Sequence, residues 1–169
     1  MRALIAILGH TPLWVYAVLA VLVVLGVQAL RARTLPLWRL LAVPVLFAGW
    51  GALSIALRAI DAPAAGLAWL IFGVAGAAIA RATAATDRLR VARAGGTVEV
   101  PGSALPLVRN IIVFIAKYIL SVAIILAPAE RGTLYLGDAA VAGLMFGYFA
   151  CWVLLVLRKY LTTTVQPAA

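Results

Sequence analysis

Lys117 is the residue whose type and position most suggest chemistry, because it is the only charged side chain inside a long apolar run of this chain. Tyr118 follows it directly. Ser121 lies four residues beyond Lys117, on the same side of the segment if that segment is a helix. A lysine in hydrocarbon costs about 3 kcal/mol on insertion scales, so it usually has a purpose. The three residues are the first candidate site, for an anion, a polar headgroup or a change of protonation.

A structural role for Lys117 is the competing interpretation. The residue lies eight positions after Arg109, which is roughly 12 Å along a helix axis. Its long stem could therefore snorkel and return the ammonium group to the cytoplasmic interface. Structural pairing with an acid is the other ordinary role. The apolar runs contain no carboxylate, however, so the sequence offers Lys117 no obvious acidic partner inside the membrane.

A second candidate cluster is expected at the outer ends of the apolar runs. Its members are four polar residues that could together bind a metal or respond to pH: His10, Asp61, Glu130 and Asp138. Their spacing matches no metal-binding motif, and loop residues that face one side of a membrane are expected in any case. We therefore predict no metal site. The motifs of hydrolases, zinc proteases and nucleotide-binding enzymes are absent, so we expect neither a cofactor nor an enzyme.

Five apolar runs must position these residues, and each is 18 or 19 residues long. As helices they would be roughly 27–29 Å long, about the thickness of a bilayer's hydrocarbon core. The chain is 66% hydrophobic and 11% charged, which leaves no room for a second, soluble domain. We predict an all-α fold, a single integral membrane domain over residues 1–169. The helices are expected at about 12–30, 38–57, 62–83, 104–129 and 137–160.

Basic residues predict the orientation of these helices. With the N-terminus outside, ten Lys and Arg residues fall on the cytoplasmic side and three on the outer side, as the positive-inside rule requires. We therefore predict an N-out/C-in multi-pass protein of a bacterial inner membrane. The net charge of +9 is explained by this topology, and nucleic-acid binding is not expected. Thr11 and Ser103 are predicted to cap the first and fourth helices.

A cytoplasmic β-hairpin is predicted between the third and fourth helices, at about 88–100. Apolar and polar residues alternate on both sides of Gly95 and Gly96. A lone hairpin is marginal in water, so it must rest on the helix ends, on lipid headgroups or on a neighbouring subunit. Three arginines of this segment are expected to contact anionic headgroups: Arg88, Arg90 and Arg93.

Small residues mark the expected helix contacts. The third run is rich in glycine and alanine, and Gly143 and Gly147 form a Gly-x-x-x-Gly step in the fifth. Such faces allow helix backbones to approach closely in lipid. For the third helix we expect a contact within one chain. For the fifth, both an internal contact and the interface of a homo-oligomer stay open.

Three strings resemble a known family: His10-Thr-Pro-Leu-Trp-Val15, Val100-Pro-Gly-Ser-Ala-Leu-Pro-Leu107 and Phe114-Ile-Ala-Lys-Tyr118. They are similar to those of small proteobacterial inner-membrane proteins grouped as domain of unknown function family 6622. The resemblance covers nearly the whole chain and implies five helices with a short basic hairpin. It brings no assigned activity. Relatives tend to have Gly-Arg in the last helix, where this chain has Ala150-Cys151-Trp152.

Three classes of function are compatible with these features. The first is a non-catalytic interaction or assembly protein of the membrane, for which the small-residue faces and the hairpin argue. The second is a small transporter, channel or lipid- or quinone-binding protein that uses Lys117 and Tyr118. The third is a membrane enzyme, which the shortage of catalytic groups disfavours.

Overall fold

The computed structural model describes residues 11–58, 64–83, 90–92 and 97–162. Helices account for most of them, and their bounds are α1 (Leu13–Gln28), α2 (Leu37–Arg58), α3 (Ala65–Thr83), α4 (Leu105–Leu126) and α5 (Arg131–Thr162). Three short strands belong to the same part of the chain: β1 (Arg33–Pro36), β2 (Arg90–Ala92) and β3 (Thr97–Val100). A single 3-10 turn, Pro128–Glu130, joins α4 to α5.

Among the described residues, three segments are long and apolar enough to cross a membrane: α3, α4 and the stretch Pro128–Thr162 that contains α5. This is the pattern of a membrane protein. The apolar helix α1 is shorter, at 16 residues, and α2 has 22 residues, the same length as α4. The last helix differs most from its predicted start near 137, because it begins at Arg131.

The helices pack in two groups that α4 and α5 connect. Helix α1 lies antiparallel to α4, since the amide of Asn110 donates to the carbonyl oxygen of Leu22 over 3.4 Å and Gly26 faces Leu107. Helix α3 runs parallel to α5 and makes the most extensive contact in the bundle. The turn at Pro128–Glu130 makes α4 and α5 an antiparallel helical hairpin.

The predicted two-stranded hairpin is part of a three-stranded antiparallel sheet in the order β1-β3-β2. The third strand, β1, lies in the connection between α1 and α2. The sequence pattern predicts only a short loop there. Opposite Glu99, the register places Thr34 on one side and Arg90 on the other. Arg90 thus lies beside Glu99 in the backbone register of the sheet, and its contact with lipid headgroups stays a prediction. Arg88 and Arg93 lie outside the described residues.

The sheet rests on the C-terminal end of α5. Val98 is fully buried and forms a small core with Val153 and Val156, around which Leu35 and Tyr160 pack. The backbone N–H of Ser103 donates to the carbonyl oxygen of Ala29 over 2.8 Å, which ties the chain before α4 to the end of α1. The expected support for the hairpin is thus supplied by the chain's own helices and by the strand β1.

Ser103 also acts near the start of α4, where its hydroxyl accepts a hydrogen bond from the N–H of Leu105 over 3.2 Å. Pro106 occupies the first turn of this helix, where a missing N–H is harmless.

Glycines let α3 and α5 approach to backbone contact. A Cβ on Gly147 would collide with the carbonyl oxygen of Gly73, and one on Gly143 would collide with that of Trp69. The indole of Trp69 stacks on Phe146 with ring centroids 4.8 Å apart. The Gly-x-x-x-Gly step of α5 is therefore used inside the chain, against the small face of α3. The open choice between an internal contact and a subunit interface is settled here for these two glycines.

We predict that Gly147→Ala destabilises the bundle, because the added methyl group has to push the Gly73 carbonyl away. Overpacking of this kind costs about 1–3 kcal/mol, which should lower the thermal midpoint of the purified protein in detergent. Gly49→Ala is the matched control, since nothing lies within 4 Å of a Cβ at Gly49. A methyl group there should be neutral or slightly stabilising through helix propensity. Equal midpoints for the two variants would contradict the close approach.

Candidate functional site

Lys117 forms an ion pair with Asp138. Its ammonium nitrogen lies 2.6 Å from the Oδ1 atom of Asp138 and 3.2 Å from the carbonyl oxygen of the same residue. The Lys117 side chain is 30% exposed and that of Asp138 is 10% exposed. The pair joins α4 to α5 and removes the net charge that a lone lysine would carry into the bundle.

This pair corrects the expectation that Lys117 has no acidic partner among the helices. Asp138 was expected at the outer end of the last helix, because that helix was expected to begin near 137. The helix begins at Arg131, so Asp138 lies seven residues inside it, about 10 Å along the axis. Lys117 therefore directs its ammonium group at α5, and the snorkelling hypothesis is wrong for this side chain.

Tyr118 connects α4 to a different neighbour. Its hydroxyl lies 2.6 Å from the Oγ1 atom of Thr11, just before α1, and its ring stacks parallel to Phe114 at 6.2 Å. Consecutive residues on a helix point about 100° apart, which is why Lys117 reaches α5 while Tyr118 reaches α1. The predicted cap at Thr11 is wrong, because α1 begins after Pro12 without a side-chain cap.

Ser121 is exposed and is not part of the ion pair. The structure thus unites Lys117 with Asp138 and Tyr118 with Thr11, and leaves the third predicted member of the site at the surface.

The predicted outer cluster is divided. Asp138 pairs with Lys117, whereas Glu130 lies exposed in the turn before α5. His10 and Asp61 lie outside the described residues. Within the part of the chain that the structure describes, no three His, Cys, Asp or Glu side chains come together as a metal site requires.

An apolar groove runs along the α4–α5 hairpin, with a volume of about 350 Å³. Val108, Ile112 and Ala116 of α4 form one wall, Ala140 and Leu144 of α5 form the other, and Phe72 of α3 also contributes. Small side chains at Ala116 and Ala140 leave the space open. The volume is at the lower end of the ~300–1,000 Å³ range of ligand pockets, and the groove is open to one side.

Arg109 is the one charged residue that lines this groove. Its guanidinium carbon lies 4.3 Å from the ring centroid of Phe149 and 5.1 Å from that of Tyr148, both on α5. Its Nε atom is buried and has no hydrogen-bond partner among the described residues. Nor does any carboxylate of those residues form an ion pair with Arg109. The surface of the groove is therefore almost entirely apolar, and the guanidinium group of Arg109 is engaged by the aromatic rings of α5.

Arg109 was counted in the sequence only as one of the basic residues that set the topology. A stronger signal lies in the symmetry of the helical hairpin. Lys117 is ten residues before Ala127 and Asp138 is ten residues after Pro128, so an antiparallel pair folded at this point brings them together. The same symmetry places Arg109 opposite Phe146, two residues before Tyr148.

The model of the family of unknown function DUF6622 matches residues 1–167. The chain belongs to the DUF6622 family. Comparisons with curated proteins and with solved structures give no match. Membership in DUF6622 therefore confirms the family resemblance that the sequence strings carry, and the geometry of the groove and of the ion pair must supply the functional argument.

We predict that Lys117→Met and Asp138→Leu each destabilise the protein, because each leaves an unpaired charge between α4 and α5. The expected loss is about 1–3 kcal/mol, below the ~3–5 kcal/mol of a fully buried pair, since the Lys117 side chain is partly exposed. The double variant Lys117→Met/Asp138→Leu should be more stable than either single variant. Unfolding by sodium dodecyl sulfate in mixed micelles measures all three. Additive losses in the double variant would mean that the two side chains do not interact.

Proposed function

We propose that this protein is a non-catalytic, multi-pass protein of the bacterial inner membrane that binds a membrane amphiphile in the α4–α5 groove. The observation that carries the proposal is the groove itself, a mostly apolar channel of about 350 Å³ with a single cation, Arg109, in its wall. An elongated molecule with an apolar chain and a polar end is the ligand that fits this distribution. No enzymatic step is needed for such a role.

The contacts that Lys117 and Tyr118 already make argue for binding rather than catalysis. Lys117 is neutralised by Asp138, and Tyr118 is engaged by Thr11. A catalytic lysine or tyrosine needs a free reactive atom facing a substrate, and here both hydroxyl and ammonium groups hold helices together. A transporter or quinone site built on Lys117 loses support for the same reason. A binding site for lipid keeps support, because neither Lys117 nor Tyr118 lines the groove.

The support for a role in interaction or assembly is also reduced. Gly143 and Gly147 contact α3 of the same chain, so they no longer argue for a homo-oligomer. The hairpin likewise rests on α5 and on β1. We assign the interaction to the groove among the described residues, with the amphiphile as its partner.

Packing directions support the proposal of five spans, and the distribution of basic residues supports the N-terminus outside. Antiparallel α1 and α4, parallel α3 and α5, and the turn between α4 and α5 agree with helices that alternate in direction. The sheet joins the end of α1 to the starts of α2 and α4, as one cytoplasmic face would require.

We predict opposite labelling of the two ends of α4 in intact spheroplasts, in a Cys151→Ser background. Glu130→Cys should react with a membrane-impermeant thiol reagent, and Ser103→Cys should react only after lysis. Both residues are exposed, so lysed cells control for access. Reaction of both cysteines in intact spheroplasts would contradict the proposed arrangement.

We predict that Ala140→Phe reduces the amount of phospholipid that stays bound to the purified protein, because the larger ring fills the groove. Native mass spectrometry counts the bound lipids. Ala78→Phe is the matched control, because Ala78 is exposed on α3 and does not line the groove. Ala116→Phe tests the opposite wall. Unchanged retention in both groove variants, with thermal midpoints equal to that of the wild type, would refute lipid binding at this site.

A further inference from the structure

We infer that the α4–α5 groove holds one unbranched acyl chain of a lipid from the cytoplasmic leaflet, and that it recognises this chain without contacting the headgroup. The inference rests on the proposed function, which assigns a membrane amphiphile to the groove, and it names the part of the amphiphile that is bound. Three features of the described residues carry it: the length of the groove, the chemistry of its surface and the ion pair at its inner end.

The length of the groove matches one leaflet of a bilayer. On α4 the lining extends from Leu105 to Ala116, which is about 16 Å along the helix axis. Half of a hydrocarbon core of ~30 Å is about 15 Å. Leu105 is the first residue of α4, so this end of the groove lies on the cytoplasmic side in the proposed topology. A chain that enters there and follows α4 ends near the middle of the bilayer.

The surface of the groove offers a ligand almost no polar contact, because its walls are almost entirely apolar. Arg109 contributes to the lining, but its guanidinium group lies against the rings of Tyr148 and Phe149, and its Nε atom is buried. A headgroup therefore meets no hydrogen-bond partner among the described residues of the groove and stays in the headgroup layer. Selection must come from how closely a chain fills the space, since dispersion contacts depend on close packing.

The inner end of the groove is marked by the Lys117–Asp138 pair. Lys117 directly follows the lining residue Ala116, and Asp138 is two residues before the lining residue Ala140. The two alanines leave space at this end, and the ion pair beyond them is an unfavourable neighbour for hydrocarbon. The pair therefore limits the groove to one leaflet. A volume of about 350 Å³ is small for a ligand pocket, which suits one chain and leaves the rest of the lipid in the bilayer.

The test uses the full chain, purified in detergent, and native mass spectrometry with lipids of defined structure. Each lipid is measured on the wild type and on Ala140→Phe, and the difference is the binding in the groove. Where Ala140→Phe does not fold, Ala116→Phe on the opposite wall takes its place. Ala78→Phe is the matched control and should bind every lipid as the wild type does, because Ala78 is exposed and does not line the groove.

Chain and headgroup are varied separately. Dioleoyl phosphatidylcholine and dioleoyl phosphatidylglycerol differ only in the headgroup and should bind equally in the groove. Diphytanoyl phosphatidylcholine has methyl branches along both chains and should bind several-fold more weakly, because the branches overfill the space. Oleoyl lysophosphatidylcholine has only one chain and should compete with the dioleoyl lipids.

The direction of the chain is tested by fluorescence quenching in a Cys151→Ser background. A fluorophore is attached to Ser103→Cys, just before α4, or to Ser121→Cys, beyond the inner end of the groove; both positions are exposed. Phosphatidylcholine with a nitroxide near the headgroup end of its chain should quench the first probe more strongly. A nitroxide at the methyl end should quench the second. Ala140→Phe should remove both effects, and the reverse pattern would overturn the leaflet assignment.

The remaining outcomes separate the two levels of the proposal. A groove that prefers one headgroup, that binds branched and unbranched chains equally, or that the one-chain lipid cannot enter would overturn the inference and leave the proposed function intact. Displacement of lipid by a second copy of the chain, seen as a dimer, would overturn the acyl chain as the occupant. Lipid retention that neither Ala140→Phe nor Ala116→Phe changes would refute the proposed function itself.

Discussion

Hydrocarbon cannot solvate a charge, and this constraint explains where the helices of the bundle meet. Lys117 and Asp138 would each be unfavourable alone in lipid, and together they form a neutral pair between α4 and α5. Tyr118, one position along, satisfies its hydroxyl on Thr11. A single turn of α4 therefore holds both of its neighbours through polar contacts. Arg109 is accommodated differently, because its guanidinium group lies against the aromatic rings of Tyr148 and Phe149 on α5.

Two further contacts complete the architecture without polar side chains. Where α3 meets α5, glycines remove the side chains altogether and the backbones touch. Where the sheet meets α5, the buried side chain of Val98 packs against Val153 and Val156. Helix α5 is common to both, and it also carries Asp138 and the rings over Arg109. The longest helix of the described chain, with 32 residues, is thus the element against which the others are arranged.

The apolar runs alone predict the helices well, because an unbroken stretch of the right length leaves the backbone no other way to satisfy its hydrogen bonds in lipid. They predict the ends of the helices less well, and such errors change which side chains are expected to meet. Placing the start of the last helix six residues late put Asp138 at the outer end of that helix and hid the partner of Lys117. Strand β1 was missed because Arg33–Pro36 is too short to show an alternating pattern, and its pairing with β3 is a long-range contact that no local signal reveals. The cation of the groove was visible as a residue, but its surroundings depend on how two helices fold back on each other.

The order of the strands bears on how this protein is made. Strand β1 leaves the ribosome well before β3, since Arg33 and Thr97 are 64 residues apart, and β3 is the central strand that β1 needs for its hydrogen bonds. During synthesis β1 therefore has no partner strand until α2, α3 and β3 have followed it. The core beneath the sheet also includes Val153 and Val156 of α5, so it is complete only once the last helix has been made.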